Sequence, residues 1–471
     1  MTRGKVISAL VAVAMLGSLP ARAETLREAL AAAYLSNPDL LAARAQQRSV
    51  DEQVPQAISN WMPTGTYTNQ KFNSKSLSQT VRGSDQELIN DNEFAGSNDS
   101  RSFRGDIDFF RGFRNVYEYN SAQAQVKAGR ANLADTEQQV LLSAVTAYMD
   151  ALRDEATLRL NENNVKVLTR QLEATQDRFS VGEVTRTDVA QAEAALSAAV
   201  SQRIQAEATL ATSRATYRQV IGKMPGTLDD APPLPPLPAS EEGATEIALA
   251  ENPIIRAARL NERAAQYDVT VAKGAILPTI SGFVQRSKGN SPTQVFDPQL
   301  NEFVGGANRF KQTQYGVTLT VPLYQGGSEY AAVRQQKQVR SQRMQQIASA
   351  ERQVLRDVNV AWENYRAAQA NIEATRSQVR ANEIALEGVR QESQVGARTV
   401  LDVLDAEQTL LDSRVNLVSA QRDEYVRGFE MLQAIGRLNA VALDLPVEIY
   451  DPEGYYKDVK WQLVGWGTGD Y

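Results

Sequence analysis

Asp402 and Asp405 are two carboxylates one helical turn apart, a spacing that puts both on one face of a helix. They follow Gly396 and Thr399, and the same order occurs earlier as Gly182, Thr185 and Asp188, with Gln191 where the later copy has Asp405. A glycine suits the left-handed position that ends a helix, and Thr-x-x-Asp suits a capping box that starts the next. The chemistry predicted here is electrostatic: acids in a first helical turn are favoured by the helix dipole. Covalent and acid–base chemistry is poorly provided for. The 471 residues include no Cys and no His, which excludes thiolate or imidazole zinc sites, disulfides, and Cys-His or Ser-His nucleophile systems. A carboxylate-dependent hydrolase finds no support outside this helical turn, so neither an enzyme activity nor a cofactor is expected.

The apolar share is 42% and the charged share 23%, which excludes a bundle of membrane-spanning helices. A formal net charge of −6 argues against a nucleic-acid partner, which calls for a basic face. Residues 1–23 predict a secretory signal peptide: Arg3 and Lys5, an apolar stretch over 6–19, then Ala21-Arg22-Ala23 as the cleavage signal. An exported chain without a long apolar segment enters a membrane only as a closed β-barrel.

The elements that must position the acids come in two copies. Ser36-Asn37-Pro38 recurs as Glu251-Asn252-Pro253, displaced by 215, and Val181-Gly182 with Asp188-Val189 recurs as Val395-Gly396 with Asp402-Val403, displaced by 214. This predicts a tandem repeat, residues 24–224 and 245–438, joined by a stiff proline-rich linker at 225–244 and followed by a tail at 439–471. Each repeat opens with helix, over 26–59 and 245–275. Strands follow at 102–109 and 315–323, where apolar and polar residues alternate, with weaker partners at 65–72 and 279–286. Segments 70–100 and 287–308, rich in Asn, Ser, Gly and Asp, read as long loops. Beyond them lie very long helices. Residues 328–394 predict one helix of about 100 Å. Val354, Val358, Ala361, Tyr365, Ala368, Ile372, Thr375, Val379, Asn382, Leu386 and Val389 make its coiled-coil seam.

Two hairpin-like strand pairs give four strands per chain, too few to close a membrane barrel, which takes about eight or more. The chain therefore has to associate, as two or three copies. A soluble β-subdomain on a helical periplasmic adaptor or scaffold, without a pore, is the alternative.

The order of strand, PLYQGG at 322–327, long helix, then SQVGARTVLDVLDAEQTLLDSR at 393–414 resembles the TolC family of outer-membrane efflux and secretion channels, and FSVGEVTRTDVAQAEA at 179–194 matches it in the first repeat. The resemblance implies a mainly α fold with a membrane β-barrel: a homotrimer in outer-membrane lipid, with a 12-stranded β-barrel and a 12-helix α-barrel crossing the periplasm. Segments 225–244 and 439–471 would form an equatorial belt. It further implies that Asp402 and Asp405 narrow the periplasmic entrance, where mutual repulsion raises some carboxylate pKa values. Arg398 would restrain the gate by holding Thr187 and Asp188 of the adjacent helix pair. The implied partners are a periplasmic adaptor and an inner-membrane pump or ABC transporter. Two departures stand out. Ser393 replaces an expected aromatic nine residues before Asp402, and residues 109–113 read FFRGF where the second repeat has PLYQGG.

Overall fold

The computed structural model of the chain describes residues 23–82, 87–297, 299–300 and 302–465. The expected signal peptide, apart from Ala23, lies outside them, as do Trp466 and Tyr471 of the tail. The chain divides into two compact units.

The first unit comprises residues 1–46, 131–256 and 350–451. It holds α1 (Leu26–Ser36), α5 (Arg186–Ile221), α6 (Glu241–Glu251), α9 (Val400–Ala434) and the greater part of two 67-residue helices, α4 (Arg114–Ser180) and α8 (Ser328–Gln394). The bounds of α8 are those its residues predict. Its seam is the predicted one too: Val354, Val358, Ala361, Ile372, Thr375, Val379 and Leu386 are buried, and Tyr365, Ala368, Asn382 and Val389 half-buried. A stripe at period 3.5 marks a helix wound against its neighbours rather than sunk in a globular core.

The duplicated Asn-Pro does structural work in both repeats. Pro38 and Pro253 each open a helix, α2 (Pro38–Asp51) and α7 (Pro253–Gly274), at the position where a missing N–H costs nothing. The buried Asn37 accepts from the amides of Asp39 at 2.9 Å and Leu40 at 3.3 Å, and donates to the Val220 carbonyl at 2.9 Å. Asn252 accepts from Ile254 N and donates to the Ala434 carbonyl, both at 2.9 Å. One side chain thus caps an opening helix and satisfies a carbonyl near the end of a returning one.

The linker is no free spacer. Leu228, Ala231, Leu234 and Leu237 pack on the main core, and the buried Tyr148 hydroxyl reaches the carbonyls of Glu24 at 2.9 Å and Asp229 at 2.8 Å. Leucines between its prolines pack against the core, a role composition alone does not reveal. The helix after it starts at Glu241, earlier than expected, because the Ser240 side chain accepts from Gly243 N at 3.1 Å. Part of the tail joins the same core through Ala440 and Leu445. Tyr450 lies under the Arg44 guanidinium, 4.9 Å from the ring centre.

The second unit, residues 47–130, 257–349 and 452–471, carries the sheet. With it go α3 (Gln53–Ser59) and α10 (Gly454–Val459). Strands β1 (Thr64–Arg82), β2 (Glu87–Arg111), β3 (Thr279–Asp297) and β4 (Glu302–Thr320) lie antiparallel in chain order, so β1 and β4 are its edges. The segments expected as long loops are for the most part strand. Pairing from Thr64↔Asp106 continues to Arg82↔Glu87, and from Thr279↔Thr320 to Asp297↔Glu302. Backbone ladders need no apolar side chains, so a polar stretch hid strands that alternation could not reveal. One face of the sheet is apolar and exposed through Tyr67, Phe103, Phe109, Tyr315, Val317 and Leu319. The other carries Ser102, Arg104, Asp106, Gln285 and Gln314, with Arg104 bonded to Asp106 at 2.8 Å.

Where β2 and β4 turn into helices, the repeats diverge. Gly326 and Gly327 have φ of 70° and 82°; their counterparts are Gly112 and Phe113, both with φ of 62°. A phenylalanine there carries backbone strain of about 1–2 kcal/mol. Its ring meets Phe110 edge-on at 5.0 Å.

Replacing Asn252 with Ala removes a cap and strands the Ala434 carbonyl together. A loss of about 1–3 kcal/mol is expected, read as a lower thermal midpoint of the detergent-solubilised protein. An unchanged midpoint would remove Asn252 from the scaffold.

Candidate functional site

The two interhelical turns, α4 to α5 and α8 to α9, are built alike. Gly182 and Gly396 take φ of 81° and 79°, and a Cβ on either would meet open space. The constraint is therefore the left-handed backbone itself. Gly182 N donates to the Phe179 carbonyl at 3.0 Å and Glu183 N to Arg178 at 2.9 Å. Gly396 N donates to Ser393 at 3.1 Å and Ala397 N to Glu392 at 2.9 Å. Those paired bonds close both helices with a Schellman motif.

The return helices open on capping boxes, as their spacing predicts. Asp188 N donates to Thr185 Oγ1 at 3.3 Å, while Thr185 N and its hydroxyl donate to Asp188 Oδ2 at 2.8 and 2.7 Å. In the second turn the corresponding distances are 3.2, 2.9 and 2.8 Å between Thr399 and Asp402. The bonds from the threonine amide and hydroxyl favour the ionised acid, so Asp188 and Asp402 are both held below the usual carboxylate range. Within one chain the cap thus pulls Asp402 opposite to the rise expected from an acid ring. Asp405 stands exposed one turn on, and Thr187 is exposed beside Asp188.

Arg398 is exposed, and its Nε donates to Glu392 Oε2 at 2.9 Å. The chain does not bring it to Thr187 or Asp188: it spans its own turn. Sequence reasoning passed over Glu392, although six residues across a glycine turn is a spacing that brings side chains together. The first turn has the opposite polarity, Arg178 to Glu183 at 3.1 Å.

The start of α9 is fixed by apolar contacts. Val400 and Leu404 are buried with Leu168 and Ala199 of the first helical pair, flanked by Val165, Ala195 and Leu196. Further along, Leu410 packs with Val379 and Leu386 of α8. Val400 and Leu404 hold one side of the first turn of α9, leaving Asp402 half-buried and Asp405 exposed on the other. Among the described residues, no group of three or more acidic side chains is placed to hold a metal ion.

With this geometry established, the likenesses are informative. The model of the outer membrane efflux protein family matches the chain twice, over residues 29–223 and 244–437. The two matches are displaced by 215 at their starts and 214 at their ends. The chain is 35% identical over 452 residues to the outer membrane efflux protein BepC of Brucella suis biovar 1 (strain 1330), covering 96% of this chain and 93% of that one. It is 28% identical over 432 residues to the outer membrane protein TolC of Vibrio cholerae serotype O1, covering 90% and 94%. In fold it is similar to the crystal structure of the Campylobacter jejuni CmeC outer membrane channel, with a TM-score of 0.71, 16% identity and 98% of both chains covered.

The caps carry a pH dependence whose sign follows from the depressed acids. Their contribution is complete above the usual carboxylate range and is lost as pH falls through their lowered values. Hydrogen exchange of the Val400–Leu404 amides, corrected for intrinsic rates, should quicken on acidification below about pH 4. Asp402→Asn should do the same at neutral pH. Exchange that ignores both would show that the box does not hold this helix end.

Proposed function

The chain belongs to the outer membrane efflux protein family, and on that premise we propose that it is a passive exit duct whose periplasmic mouth is closed by the two turns described above. It lies in the outer membrane with an extended periplasmic helical part, and family members are trimeric channels that work with efflux or secretion systems. The observation that carries the reading is the open four-stranded sheet, apolar on one face and polar on the other, with two unpaired edges. A scaffold without a pore has no use for an exposed apolar sheet.

In this reading three copies pair β4 of one with β1 of the next, giving a 12-stranded barrel whose polar face lines the lumen. Asp402 and Asp405 from three chains then ring the mouth with six carboxylates and favour cations. Arg398 exchanges Glu392 for Thr187 and Asp188 of a neighbouring helix pair when the mouth is shut. The duct has no catalytic step and takes no cofactor. A periplasmic adaptor opens it, and an inner-membrane pump or ABC transporter supplies the energy. Its cargo is small toxic compounds, secreted polypeptides, or both.

In planar bilayers Asp402→Ala with Asp405→Ala should lower cation selectivity, and unchanged selectivity would sink the acid ring. Arg398→Ser should raise single-channel conductance. An unaltered conductance would mean that the mouth is held by something else.

A further inference from the structure

Towards the hairpins the apolar face of the sheet is interrupted by cations. Register fixes which residues share that face, because cross-strand partners point the same way. The rows nearer the helices run down to Tyr67, Phe103, Arg286 and Thr313. The next toward the hairpin ends is Asn69, Arg101, Lys288 and Lys311, three cations side by side. Beyond it come Lys71, Asp99, Asn290 and Arg309. Like charges directly opposite one another destabilise a sheet, so a row of three calls for an anion. Asp99 is the one acid in these three rows, 4.0 Å from Arg101.

Asp99, Arg101, Lys288, Asn290, Arg309 and Lys311 line a depression of about 570 Å³. Nearer the helices, the same face holds a second groove of about 390 Å³. There Gly105 and Gly282 leave room between Ile107, Phe109, Val284 and Tyr315. A basic depression thus adjoins an apolar one on a single exposed surface. Eight residues separate Lys311 from Leu319, about 27 Å along a strand, which is the height of an apolar membrane band.

We propose that this face binds a phosphorylated, multiply acylated glycolipid of the outer leaflet, its phosphates on Arg101, Lys288 and Lys311 and its acyl chains along the glycine-lined groove. The proposal rests on the sheet facing lipid with its hairpin ends outward. Strand spacing selects the glycolipid over a phospholipid. Arg101 and Lys311 are two strands apart, about 10 Å, and Lys71 and Arg309 three strands apart, about 14 Å. A phosphodiester brings a single negative charge to this span, whereas two phosphates on a disaccharide bring more and spread it across the strands.

The test uses the full-length oligomer in detergent, with native mass spectrometry as the readout. Bis-phosphorylated lipid A, its dephosphorylated form and phosphatidylglycerol serve as probes. Bis-phosphorylated lipid A should be retained most strongly. The combined R101Q, K288Q and K311Q variant should lose about a hundredfold of that affinity while treating dephosphorylated lipid A as the parent does. The combined K288R and K311R variant should keep it. Equal binding of phosphorylated and dephosphorylated forms, equally tight phosphatidylglycerol, an unaffected glutamine variant or a failed arginine rescue would each overturn the proposal. Conductance is measured alongside. A parent protein that forms no channels refutes the duct, whereas normal channels without lipid A preference refute this site alone.

Discussion

A strand edge in hydrocarbon leaves N–H and C=O groups with no partner, each at a cost of several kcal/mol. This sheet has two such edges, β1 and β4, and its strands run in chain order from one to the other. The edges are different strands, so joining them is a head-to-tail contact that closes only as a ring. Membership of a family of trimeric channels then has a physical basis. In the proposed trimer the long helices continue from that ring, since β2 and β4 each lead into a 67-residue helix.

Duplication supplies the same solutions twice. Asn37 and Asn252 each join the start of one helix to the carbonyl end of another. Gly182 with Thr185, and Gly396 with Thr399, each reverse the chain in a few residues, with backbone bonds closing one helix and side-chain bonds opening the next. Where the copies differ, function has room. Asp405 faces solvent where the first copy has Gln191, and Arg398 pairs across its turn with the charges exchanged relative to Arg178 and Glu183.

Much of this was legible in the residues, and the parts that were not have a common cause. The turns announce themselves because Gly and Thr-x-x-Asp have few other uses, and the α8 seam because period 3.5 over eleven positions is hard to mimic. The distal strands were hidden, since backbone pairing from Arg82↔Glu87 inward asks nothing of side chains. The packing of Leu234 and Leu237 was hidden as well, because prolines between leucines look the same in a spacer and in a strap. Of the residues in the two turns, the caps were readable locally. The partner of Arg398 was missed, because the resemblance pointed to the adjacent helix pair while Glu392 lies across its own turn.

Phe113 shows what an imperfect copy entails. It holds the left-handed backbone that Gly327 adopts freely, partly offset by its ring against Phe110. The two junctions between sheet and helix are therefore unequal under load. If the molecule is pulled or heated, the first hairpin should let go of its helix before the second, giving the chain a built-in order of failure.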